Sequence, residues 1–212
     1  MKYNERIIMT EKEIDSSLVT VGKPSDGGCC WVSFNGAGTA PSNATDKMSS
    51  VEGFESAGEL SENGFTESKS VSSTTHKGWH GSTLLITNDD ETNTYKVEFV
   101  EVNRGTAAKL RYGSSNVNVD DDTGAVLSVK DKGINDDEIS LVFDELESNG
   151  WLRRTIVRRA MVNSFDDVAH QRGNLMTYGM TFTALQPLDG GAIIEIYRAK
   201  PVASTSSTTE DA

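Results

Sequence analysis

Apolar and polar residues alternate with a period of two through most of this chain. That pattern restricts it to half-buried, antiparallel β-structure more firmly than any other feature of the sequence. The cleanest run is Leu175 to Gln186, where Met176, Tyr178, Met180, Phe182 and Ala184 share one face and Thr177, Thr181 and Thr183 the other. Thr94 to Glu101 places Tyr95, Val97 and Phe99 opposite Lys96 and Glu98. Ile139, Leu141 and Phe143 align in a third segment, and Ala192, Ile194 and Ile196 in a fourth. Thr83 to Thr87 carries Leu84, Leu85 and Ile86. Trp151 to Asn163 reads as one long strand with Leu152, Ile156, Ala160 and Val162 in one alternation class. Arg154 and Arg158 interrupt that class, and Arg153 and Arg159 fall on the opposite face.

One segment departs from the alternation. Asn103 to Tyr112 contains paired alanines and Leu110, which favour helix, with Asn103 as an N-cap and Gly113 as the terminating glycine. Gly105 weakens the helical pattern. Asp189-Gly190-Gly191 reads as a hairpin turn between two strands, and Asp121-Asp122-Thr123-Gly124 as a second turn. The predicted fold is therefore mainly β: an antiparallel sandwich or barrel with one short flanking helix, long polar loops and terminal arms. The expected organisation is an N-terminal arm over 1–17, a single β-domain over 18–200 and a flexible Ser/Thr-rich tail over 201–212. Gly36 to Glu67 is rich in Gly, Ser, Asn and Thr and reads as long loops with short strands between them, as a functional loop or a subunit contact requires.

Charge narrows the function classes. The 212 residues carry 20 Lys and Arg against 32 Asp and Glu, a net charge of −12. Such an acidic chain does not grip nucleic acid over its whole surface, because phosphate binding needs a dominant basic face. The balance is uneven: residues 1–150 hold 13 basic and 26 acidic side chains, whereas 151–200 hold 7 basic and 4 acidic. A basic strand region in an acidic protein favours association through complementary surfaces. No apolar run approaches the roughly 20 residues of a membrane span. The charged start, Met1 to Asp15, has no apolar core of a secretory signal, so synthesis in a cytoplasm is expected.

Chemistry-bearing patterns are sparse. Cys29 and Cys30 are adjacent, a spacing that disfavours a mutual disulfide, and two thiols fall short of a structural zinc site. His76 and His80 would lie about 13–14 Å apart on one strand face, too far for one metal. Asp120-Asp121-Asp122 lacks the spaced ligands and terminal Glu of a calcium loop. No nucleophile elbow, zinc-protease motif or phosphate loop occurs. No catalytic residue, metal or cofactor is expected. The most informative polar feature is the cluster Arg153, Arg154, Arg158 and Arg159, which puts charge on both faces of one strand and requires solvent, acidic partners or another chain.

Several pieces then stand in a telling order. Val21-Gly-Lys-Pro-Ser-Asp-Gly-Gly28 leads into Cys30-Trp-Val-Ser-Phe34, followed by Gly38-Thr-Ala-Pro41 and Gly58-Glu-Leu-Ser-Glu-Asn-Gly-Phe-Thr66. Lys77-Gly-Trp-His-Gly81 opens a strand, and Phe99 to Gly113 runs from a strand into a helix. Arg153 to Val162 then precedes Tyr178-Gly-Met-Thr-Phe-Thr-Ala184. This order resembles the major tail, or tail tube, proteins of long non-contractile-tailed bacteriophages, over roughly residues 18 to 198. The resemblance implies a structural virion protein without catalysis or cofactor. Six copies would close a ring and rings would stack into a tube, with the genome passing through its channel without specific binding. Tape-measure and terminator proteins would be further partners. The resemblance also implies that a long loop or hairpin, with the terminal arms, bridges rings, a role that suits Gly36–Glu67 and the N-terminal arm. Arg153, Arg154, Arg158, Arg159 and Trp79 are the candidate inter-subunit contacts. Two alternatives remain open: a monomeric carbohydrate- or ligand-binding sandwich of an adsorption device, and a related neck or terminator ring protein.

Overall fold

The computed structural model describes residues 15–25, 28–36 and 38–200. The expected tail over 201–212 and most of the expected arm over 1–17 lie outside the described residues. Among the described residues, eleven strands and one α-helix follow one another along the chain. They are β1 (Gly22–Pro24), β2 (Cys30–Phe34), β3 (Glu55–Ser56), β4 (Leu60–Lys77), β5 (Thr83–Phe99), α1 (Gly105–Tyr112), β6 (Val117–Val119), β7 (Val126–Val129), β8 (Ile139–Glu147), β9 (Leu152–Phe165), β10 (Tyr178–Ala184) and β11 (Ile194–Ala199).

Nine strands form one antiparallel sheet in the order β3-β2-β8-β9-β10-β5-β4, with β1 also on β8 and β11 also on β9; β6 and β7 pair separately. The sheet curls on itself. Phe65 of β4 stacks on Phe143 of β8 with ring centroids 4.2 Å apart, although three strands separate β4 from β8 in the sheet. Tyr95 of β5 reaches the same ring at 5.7 Å. The enclosed core draws Val32, Tyr95, Val97, Phe99, Leu141, Phe143, Val157, Met180 and Phe182 from five strands, with Ala107 and Leu110 of α1 packed against them. Tyr95, Val97, Phe99, Leu141, Phe143, Met180 and Phe182 among them are inward members of the alternation read from sequence, whereas Val32 and Val157 were not part of it.

The helix forms where the alanines lie and ends at Gly113, whose φ of +92° suits glycine. Its N-cap position is Arg104, not Asn103, and no side chain caps it. Gly105 has a packing reason: a Cβ there would come within 2.7 Å of Val119 on β6. A second, smaller core of Trp31, Met48, Phe54, Val142 and Ile156 lies on the outer face of β2, β8 and β9. The segment around Met48 and Phe54 covers it, so part of the Gly36–Glu67 stretch read as loop is a lid on the sheet.

Three expectations are corrected. Asp189-Gly190-Gly191 does turn the chain, with the Gly190 amide donating to the Pro187 carbonyl at 3.0 Å. It does not close a hairpin, because β10 and β11 both pair with β9, against 160–165 and 152–157 respectively. β9 is twice as long as β10, so two successive strands are needed to cover its edge. The single alternation class of β9 is also broken. Ile139 faces Ala160 while Leu141 faces Val157, so β9 carries one extra residue between them. That bulge reverses the phase: Ile156 points to the outer core, Val157 and Ala160 to the inner one. Finally, the segments predicted over Thr83–Thr87 and Thr94–Glu101 join into one strand, the 17-residue β5, which ends at Phe99.

Candidate subunit-contact surfaces

β4 and β5 run far beyond the core. Leu60, Tyr95, Val97 and Phe99 anchor their inner ends, whereas every residue of β4 from Thr66 to Lys77 is exposed. At about 3.4 Å per residue the ribbon extends roughly 30 Å past the body. Its strands are held by their ladder, by the Lys69–Glu91 ion pair at 2.7 Å and by Thr74 Oγ1 donating to Asp89 at 2.5 Å. Lys69 draws the Glu91 carboxyl below its usual range, with help from Asn93. The ribbon has no hydrophobic layer of its own. An isolated two-stranded hairpin is marginal in water, yet this one exposes Val71, Leu84, Leu85 and Ile86 and leaves Trp79 at its tip 100% exposed. Lys77 to Gly81, expected to open a strand, forms this tip.

The four arginines of β9 divide into distinct roles. Arg154 is 2% exposed. Its guanidinium donates to both carboxylate oxygens of Asp144, at 2.6 and 2.8 Å, and to the carbonyls of Asn43 and Asp46, at 3.0 and 2.8 Å. This clamps the 43–46 turn onto the outer face of the sheet, and leaves Arg154 no surface to offer a neighbour. Arg158 meets Asp189 at 2.7 Å and Glu195 at 3.7 Å. Arg159 forms a two-pronged pair with Glu138 and donates to the Gln186 carbonyl at 3.0 Å. The two side chains pin the β10–β11 excursion while keeping a quarter to a third of their area exposed. Their hydrogen bonds hold the Asp189 and Glu138 carboxyls below the usual range.

Arg153 points the other way, into one end of the rolled sheet, 3.6 Å from Glu145. There Arg198 of β11 forms a two-pronged pair with Glu147, which is 2% exposed and whose carboxyl it holds below the usual range. Burial pushes the Glu145 carboxyl upward, and Arg153 offsets part of that. Two of the body's cavities lie near these groups. One of about 510 Å³ lies beneath the 44–49 segment and is bordered by Lys47, Asp144, Glu145, Arg153 and Arg154. The other, about 350 Å³, lies in the seam between β1 and the start of β4.

The remaining sequence features are dispersed. His76 lies on β4 with Nε2 3.2 Å from Thr87 Oγ1, His80 lies in the ribbon tip, and His170 is exposed in the loop before β10. Cys29 and Cys30 are free and buried, and burial pushes both thiols upward. Among the described residues no group of three or more His, Cys, Asp or Glu is placed to hold a metal ion. The sequence reading missed the outer half of β4, because Ser68 to Thr75 has only Val71 as an apolar marker and the alternation is invisible there. The acidic partners of the arginines were equally hidden, all of them lying outside β9.

Residues 28–205 match the phage tail tube protein family. The chain belongs to that family. It is a structural protein of the phage tail, built on the mainly antiparallel β-fold with one helix that the sequence predicted. No curated protein matches this tail tube family member in sequence. Among solved structures, the tube-terminating cap of the anti-feeding prophage aligns with 90% of this chain and 100% of its own, at 8% identity and a TM-score of 0.39. The sheath–tube complex of an extracellular contractile injection system, in its extended state, aligns with 84% of this chain and 93% of its own, at 8% identity and a TM-score of 0.35. These likenesses are too loose to bear on how subunits are arranged.

Proposed function

We propose that this chain is the repeating subunit of the tail tube of a long non-contractile-tailed phage. Six copies close into a ring, rings stack, and the genome passes through the channel on its way to the host. The observation that carries this reading is the β4–β5 ribbon: a roughly 30 Å extension with exposed apolar residues and no partner in its own subunit. Such an element is stable only against another molecule, and in a tail tube protein the most abundant neighbour is another copy. The bridging role expected for Gly36–Glu67 passes to this ribbon, since part of Gly36–Glu67 is tied down over the outer core. Arg153, Arg158, Arg159 and Trp79 are the proposed inter-subunit contacts, with Arg154 acting inside the subunit. The net charge of −12 supports a channel that repels DNA and lets it slide. Tape-measure and terminator proteins are the further partners, and subunits are made in the host cytoplasm before joining the virion.

The carbohydrate-binding alternative would need a face of exposed aromatics. The tryptophans do not provide one: Trp31 is in the outer core, Trp151 is covered by Arg198 and Lys200, and Trp79 is alone at the ribbon tip. Electron microscopy of the purified protein over a concentration series tests the proposal. Rings or hollow tubes are expected; monomers at all concentrations, with or without tape-measure protein, would refute it.

A further inference from the structure

Taking the chain as a self-assembling tube subunit, as above, we propose that the ribbon tip of one copy docks into the seam cleft between β1 and β4 of another, with Trp79 filling the cleft and Lys77 meeting its carboxylates. The tip and the cleft are complementary in three respects.

The first is charge. Between Thr74 and Asn88 the ribbon carries one lysine, two histidines and no carboxylate, although the whole chain has a net charge of −12. The cleft is the most acidic of the cavities: Glu59, Glu62, Asp144 and Glu145 border it against Lys23 alone. Arg154 already neutralises Asp144. Glu59 and Glu62 are exposed and have no ion pair among the described residues. The other cavities do not offer this. The one under the 44–49 segment has Lys47, Arg153 and Arg154 in its wall, and the one beside the β10–β11 excursion has Arg158 and Arg159.

The second is size and polarity. About 350 Å³ is within the range of clefts that take a compact aromatic ligand. Its floor includes Leu60, Phe65 and the buried Cys29, so an indole finds apolar contact below and carboxylates at the rim. Aromatic anchors surrounded by polar rims are the usual energetic centre of a protein–protein contact. The third is need. Trp79 is wholly exposed, and Gly78 and Gly81 on either side leave it free to enter a cleft. The cleft is itself an unclosed seam, where β1 and β4 approach without pairing.

Cysteine cross-linking tests this docking in the assembled protein. In a Cys29→Ala background that keeps Trp79, Ser82→Cys subunits mixed with Asn63→Cys subunits are expected to give a covalent dimer on mild oxidation, one that neither variant gives alone. The remaining native thiol, Cys30, is fully buried and does not line the cleft, so it stays uncoupled. In parallel, Glu62→Lys and Lys77→Glu each raise the concentration needed for assembly by about tenfold or more, and mixing the two restores part of the loss. Tubes that form normally but give no 82–63 cross-link, or that tolerate Glu62→Lys, overturn the docking and leave the tube reading intact. A parent protein that never assembles overturns both.

Discussion

Arg154 and Arg158 stand four residues apart on one strand and would respond very differently to removal. Arg154 is buried with two ionic and two carbonyl hydrogen bonds, so Arg154→Ala leaves Asp144 uncompensated and frees the 43–46 turn. A loss of about 3–5 kcal/mol is expected, visible as a lower urea midpoint. Arg158 makes a partly exposed pair that solvent screens. Arg158→Ala should cost at most about 1 kcal/mol, and its effect should fall instead on assembly. The cysteines give a second residue-scale prediction. Burial holds both thiols in the protonated form, Cys30 most strongly. Iodoacetamide at pH 8 should leave the native protein unmodified and label both thiols once urea unfolds it. Labelling of the native form at the rate of a free thiol would contradict the packing of β2. At this scale the sequence revealed the residue types and little of their purpose. Four arginines on one strand were evident, but their partners Asp144, Glu145, Glu138 and Asp189 all come from other places in the chain.

The elements differ in how openly the sequence displays them. β8 and β10 line the inner core, so hydrophobic burial sets Ile139, Leu141 and Phe143, and Met180 and Phe182, at a period of two that the sequence displays, even though Val142, between Leu141 and Phe143, is buried in the outer core. α1 is visible through its alanines and closing glycine. The ribbon is hidden for the opposite reason: outside the core no face needs to be apolar, and its Ser and Thr residues look like loop. Its separateness makes a direct test. Ser70 and Thr92 face each other in register. Replacing Val71–Glu91 with an Asn-Gly turn should therefore leave a closed hairpin and an intact body. The shortened protein is expected to melt within a few degrees of the parent and to form no tubes. A large fall in melting temperature would mean the ribbon supports its own subunit.

For the whole molecule, the paired carboxylates set the response to acid. Glu147 and Glu138 have folded pKa values lowered by Arg198 and Arg159, and Asp189 by Arg158. A depressed carboxyl stabilises the fold above its unfolded pKa, near 4, and that contribution disappears as pH falls through the lower folded value. Glu145 has the opposite sign, since its raised pKa favours folding only while it is protonated. Glu91 is lowered as well by Lys69, and Asp120 by hydrogen bonds from Thr123, so five lowered carboxyls oppose one raised one and unfolding free energy from urea melts should drop between about pH 5 and pH 2. A rise over that range would show that burial of Glu145 dominates. The sequence by itself determined the strand-rich fold, the single helix, the acidic balance and the family resemblance. Each of these is local or cumulative: a period of two, a helix-forming run, a sum of charges, an order of short motifs. Only the tertiary structure decided that the sheet rolls up, that a bulge in β9 sends Ile156 and Val157 to different cores, that Arg154 faces inward and that β4–β5 stands clear of the body. Those features depend on which distant segments meet, and no periodicity along one strand encodes the strand that will lie beside it.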